Sequence, residues 1–124
     1  MRFLAFQAYL RLMQFDRHLT RGNFSIVHDI VRNYRQPSAV ASHDVVERVC
    51  RAVNLACIWY WKEALCLQRS AATVCLLRQC GVAATLVIGV QSLPFKAHAW
   101  VEVDGRVVNE KPYLPDMYMV LDRC

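Results

Sequence analysis

The spacing of apolar positions changes about two thirds of the way along the chain. From Met1 to about His18, Leu4, Ala8, Met13 and Phe15 predict an amphipathic helix packed on the body of the protein. Asn23 is placed to cap a second helix carrying Ile26, Val27, Ile30, Val31 and Tyr34, which must end before Pro37 in the loop Gln36-Pro37-Ser38. Ser42 is placed to cap a third, with Val45, Val46, Val49, Cys50, Val53 and Cys57 in its stripe. The aromatic patch Trp59-Tyr60-Trp61 follows and reads as core or pocket wall. Cys66 to Cys80 is helical again through Leu67, Ala71, Val74 and Cys75, with Gly81 as the C-terminal stop.

Beyond Gly81 the period shortens. Ala83–Val90 and Ala97–Val103 read as strands, Asp104-Gly105 as a hairpin turn, Arg106–Asn109 as the returning strand and Tyr118–Leu121 as a short fourth one. Met117 and Met119 read as packing residues. Helices first and strands afterwards argue for α+β rather than repeated βαβ units. The expectation is one domain over 1–124, helical over 1–60, with one further helix and an antiparallel sheet over 66–124.

Composition narrows the class. At 56% hydrophobic and 20% charged, the chain is too apolar to be disordered. Its net charge is +5, and twelve of its fifteen cations are Arg, which suits an acidic partner, a peptide or a larger protein; no nucleic acid is expected. The longest uncharged stretch, Gly81–Phe95, holds Gly89, Gln91, Ser92 and Pro94 and is no membrane span. Gln7, Arg11 and Gln14 interrupt the first helix, so it is not read as a signal peptide; a membrane-surface role, which Arg2, Arg11 and Arg17 would suit, is the weaker reading. A cytoplasmic protein is expected. Its six Cys residues, with no C-x-x-C pair, should be small buried hydrophobes rather than disulfides or zinc ligands. The chain has no Gly-rich phosphate loop, so no cofactor or ATP is expected.

One Cys departs from that rule. Cys66 stands where a helix begins, and free N–H groups and the positive dipole end there stabilise a thiolate. Its own backbone N–H can serve an oxyanion site. Cys75 falls on the opposite helix face and belongs to the core. A nucleophilic Cys needs a base. His18, His28 and His43 lie on helices or at a helix start among charged residues and read as solvated. His98, in Ala97-His98-Ala99-Trp100 on a strand, has small neighbours that leave it room. A helix-start Cys followed by a strand His is the order of papain-like thiol enzymes. Arg69 could hold a substrate carboxylate, although a surface salt bridge is the simpler reading.

The run Cys66-Leu-Gln-Arg-Ser-Ala-Ala, then Leu76-Leu77-Arg78, Gly81, Leu86 to Val90 and Pro94 through His98 to Asn109, resembles the lasso-peptide leader peptidases. These are microcin-processing proteins whose C-terminal domain is a transglutaminase-like thiol protease. The resemblance runs collinearly from Cys66 to the end. It implies a papain/transglutaminase-like fold and a cysteine endopeptidase that frees a precursor from its leader peptide. It also implies a separate leader-recognition protein, for which this short chain has no room, and an asparagine-synthetase-like lasso cyclase acting next. The family's Cys and His map onto Cys66 and His98. Its acid follows Asn in an Asn-Asp pair, where this chain has Asn109-Glu110. A two-residue turn at Asp104-Gly105 would put Asn109 on the His98 face, and a three-residue loop would put Glu110 opposite His98. Glu110 is the favoured third member and Asn109 the alternative. The same fold also suits an acyltransferase of the transglutaminase type, which would give amine-linked product. A peptide-binding module that has lost the triad is a third reading.

Overall fold

The computed structural model describes residues 2–37, 43–92 and 95–124. The elements run α1 (Arg2–Thr20), α2 (Phe24–Asn33), α3 (His43–Trp59), α4 (Cys66–Gln79), β1 (Thr85–Ser92), β2 (Phe95–Val103), β3 (Arg106–Val107), α5 (Leu114–Met117) and β4 (Met119–Arg123). The architecture is α+β, with α1–α4 on one face of a four-stranded antiparallel sheet of order β3-β2-β1-β4. The expected Ser42 cap, and Ser38 of the expected loop, lie outside the described residues.

The buried stripe of α1 is Ala8, Leu12, Phe15 and Leu19. Met13, expected in it, sits one residue (100° of helix) beyond Leu12 and is exposed. α2 buries Val27 and Val31, while α3 buries Val46, Val49, Ala52, Val53 and Ala56. Asn23 holds the N-cap position of α2 without a side-chain capping bond. Of the aromatic patch only Tyr60 is buried. Trp59, the last residue of α3, and Trp61, in the bend after it, stand 74% and 71% exposed.

α4 is the centre of the molecule, with Ser70 through Arg78 all buried. It ends as its glycine predicts. Gly81 takes φ +86°, Gly81 N–H donates to Arg78 O (3.1 Å), and Val82 N–H donates to Leu77 O (2.9 Å), the paired bonds of a Schellman stop.

On β2, Ala99, Val101 and Val103 join the large core under α4, whereas Trp100 packs on the other face with Val87 and Leu114. The β2–β3 turn has two residues: Val103 pairs with Arg106, and Asp104 and Gly105 both have positive φ (54° and 73°). The returning strand is shorter than expected and stops at Val107. β4 carries a bulge, since Ile88 pairs with Asp122 but Gly89 pairs with Val120. The extra residue, Leu121, reverses the strand's facing, so Val120 joins the far face while Cys124 joins the helix-side core. Met117 and Met119, expected as packing, are exposed on α5 and at the sheet edge. Among the described residues no helix is long and apolar enough to cross a membrane.

Candidate active site

Cys66 is the first residue of α4. The start of that helix is fixed by Gln68, which is 1% exposed. Gln68 Oε1 accepts the Leu65 N–H (3.1 Å), and its Nε2 donates to Leu12 O on α1 (2.7 Å). Gln68 thus closes the first turn from within and ties it to α1. Sequence reading missed this residue; its signal was a Gln three positions after Leu65, where capping boxes place one.

His98 is half-buried near the open end of β2, opposite Gly89 of β1. Its ring stacks on Tyr118 (centroids 5.7 Å apart, 26° between planes) and lies 6.4 Å from Trp100. Gly89 makes this platform possible. A Cβ there would lie 2.8 Å from Trp100 Cη2 and 2.9 Å from Tyr118 Cβ, so the Trp100 ring and the Tyr118 Cβ occupy the space a side chain would need. Behind the platform, Trp100 Nε1–H donates to Glu102 Oε2 (3.0 Å), and Arg123 Nη1 donates to Glu102 Oε1 (2.5 Å).

Glu110 Oε1 lies 3.7 Å from His98 Nε2 and also pairs with the Arg69 guanidinium. This arrangement corrects the turn argument in both its branches. The hairpin takes the two-residue turn, yet Glu110 is the side chain beside His98, because the ladder ends at Val107 and strand parity no longer governs residues 109 and 110. Asn109 is engaged elsewhere. Its Oδ1 accepts the Val101 N–H (2.8 Å) and its Nδ2 donates to Ser70 Oγ (3.0 Å), while Ser70 Oγ donates to Ala99 O (3.1 Å). Asn109 therefore pins the loop to β2 and α4. Arg69 makes the expected ion pair, but a half-buried one rather than a surface one.

Burial and the neighbouring Arg69 cation hold the His98 pKa below the usual histidine value. Both His98 Nε2 and Arg69 Nε are buried without a hydrogen-bond partner among the described residues. His98 and Cys66 line the same pocket, about 610 Å³, whose walls include Phe24, Leu65, Leu67 and Ile88. A larger cavity of about 910 Å³ between α3 and the β2–β3 hairpin contains none of these groups, so size does not mark the site.

All six cysteines are free. Cys75 is fully buried and its pKa is pushed up to about 11. Burial also raises Cys50 (to about 11), Cys57 and Cys124. Cys80 is an exception to the buried-cysteine expectation, being exposed at the C-cap of α4. Of the histidines read as solvated, His28 proves to be half-buried against Asp122.

A cysteine at the start of the central helix and a histidine on the adjacent antiparallel sheet line one pocket. The family model of the transglutaminase-like superfamily matches residues 9–123, and the chain belongs to that superfamily. Over 70 residues, 55% of the chain, it is 43% identical to the microcin J25-processing protein McjB of Escherichia coli. That stretch is 34% of McjB, so the chain spans about a third of this curated relative. No solved structure matches the chain.

Proposed function

We propose that the chain is a cysteine endopeptidase of lasso-peptide maturation, cutting a precursor between leader and core. The observation that carries this reading is the shared apolar pocket of Cys66 and His98, with Glu110 3.7 Å behind the His98 Nε2. The similarity to a microcin-processing protein supports the substrate class.

With Nε2 turned toward Glu110, Nδ1 is the nitrogen left to exchange protons with the thiol. A neutral His98, favoured by burial and by Arg69, takes the Cys66 proton as Sγ attacks the scissile carbonyl carbon. The Cys66 backbone N–H, free at the first turn of α4, stabilises the oxyanion. The imidazolium then gives its proton to the leaving amine, the C–N bond breaks, and the leader remains as a thioester. Water attacks that thioester, His98 takes the water's proton, and the C–S bond breaks to free the leader carboxylate and restore the thiol. Glu110 acts as a positioning residue that steadies the imidazolium.

A leader-recognition protein is the expected partner, since holding the scissile bond at the site converts an encounter into a fixed geometry worth several kcal/mol. A lasso cyclase would take the released core. Mass spectrometry of the precursor incubated with the chain, with and without that partner, tests the reading. Hydrolysed leader and core, lost in Cys66→Ala, are expected. Amine-linked product in the presence of an amine acceptor would make the chain a transferase, and no product under any condition would leave a binding module.

A further inference from the structure

The bulge at Leu121 brings together three side chains that the proposed chemistry does not use. Asp122 of β4 and Cys124, one residue past its end but still bonded to Leu86 of β1, turn toward the helices, and His28 of α2 meets them there. The donor atoms of His28, Asp122 and Cys124 all lie within 4.8 Å of one another. All three residues are half-buried. Without the extra residue at position 121, Asp122 and Cys124 would share the sheet face of Val120, away from α2.

We propose that His28, Asp122 and Cys124 form a binding site for a divalent transition-metal ion of the zinc class. An imidazole nitrogen, a carboxylate oxygen and a thiolate sulfur are the three ligand types that such an ion accepts, and they select it over magnesium or calcium, which take oxygen alone. Three protein ligands leave a fourth position for water or another donor. Two cations stand near. Arg78 is committed to carbonyl oxygens at Val31, Tyr34, Ala84 and Cys124, and Arg32 acts on Asp122 and Cys124 from α2. The ion must therefore displace the His28–Asp122 pair and release the Cys124 proton, so it binds through the thiolate. The site would clamp α2 to β4 behind the pocket that His28 also lines. It is independent of the peptidase reading, because none of its three ligands takes part in that mechanism.

The test uses the full chain carrying Cys66→Ala, so that the candidate catalytic thiol takes no metal. Co²⁺ is titrated and the thiolate-to-cobalt charge-transfer band is followed, then Zn²⁺ is added to displace it. One equivalent is expected to bind. Cys124→Ser should abolish the band, and His28→Ala and Asp122→Asn should each weaken binding by about tenfold or more, as even outer-shell changes do at metal sites. A second measurement needs no change at the ligands: Zn²⁺ should slow iodoacetamide labelling of Cys124 but not of Cys80. Absence of one-equivalent binding, a band that survives Cys124→Ser, or unprotected Cys124 would each overturn the proposal.

Discussion

Arg69 and Arg78 stand on the same helix and serve opposite ends of it. Arg78, 6% exposed, donates to Val31 O, Tyr34 O, Ala84 O, Cys124 O and Gln36 Oε1, so α4, α2 and the C-terminal strand all meet on one guanidinium. Arg69 shares Glu110 with His98, and among the described residues its own Nε has no hydrogen-bond partner. One arginine fixes the fold and the other sets the charge around an imidazole. The C-terminal end of α4 is saturated with hydrogen bonds, whereas the N-terminal end keeps buried polar atoms unfilled beside an apolar pocket. Buried unsatisfied groups are costly, and they gather here at the end of α4 opposite the one that Arg78 anchors.

The largest expected effect is at the site end. Glu110→Gln removes the charge beside His98 and leaves Arg69 unneutralised next to it, so cleavage should fall by about two to four powers of ten while the fold persists. Rate and circular dichroism check both halves. Glu110→Asp should keep most of the activity, and Asn109→Ala should act through stability instead, costing about 1–3 kcal/mol by orphaning the Val101 N–H. Severe loss of rate in Asn109→Ala with a mild effect of Glu110→Gln would exchange their roles.

At the anchor end, Arg78→Met should leave several buried carbonyls without donors and lower the unfolding free energy by about 3 kcal/mol or more, read by urea denaturation. Gly89→Ala should cost about 1–3 kcal/mol by forcing Trp100 and Tyr118 apart, and should slow cleavage because His98 stacks on Tyr118.

The smallest effect, and the most diagnostic of Arg69, lies in the pH profile. His98 has its pKa lowered by burial and by Arg69, so it stays a neutral base to lower pH than an ordinary histidine. Arg69→Met removes the cation and frees Glu110 to favour the imidazolium, and both changes raise the His98 pKa. The acid limb of kcat/KM should therefore move to higher pH. A limb that stays in place would separate Arg69 from His98.

Much of this was legible in the residues. Helix order, the Gly81 stop, the Asp104-Gly105 turn and the helix-start position of Cys66 follow from local chemistry, which a sequence carries directly. Residues whose roles depend on partners far along the chain were not legible. Nothing around Arg78 or Gln68 indicates that Arg78 reaches carbonyls on α2 and at Ala84 and Cys124 or that Gln68 reaches Leu12 O on α1, and Trp59 and Trp61 look like core yet stand exposed. Strand parity does not reach residues 109 and 110 because β3 stops at Val107, which pattern alone does not reveal. Gly89 did carry a signal: a lone glycine inside a strand marks a bulge or a close approach, and both occur there.

The two ends of α4 also carry a matched pair of thiols, Cys66 at its first residue and Cys80 at its C-cap. Cys80 is exposed, so access favours it; Cys66 is only half-buried but shares a pocket with His98 at the helix end that stabilises negative charge. Brief iodoacetamide exposure followed by peptide mapping compares them within one molecule. Cys66 is expected to be modified faster than Cys80 and the four other cysteines, and His98→Ala is expected to remove the lead. Labelling of Cys80 ahead of Cys66, or a Cys66 rate indifferent to His98, would contradict it.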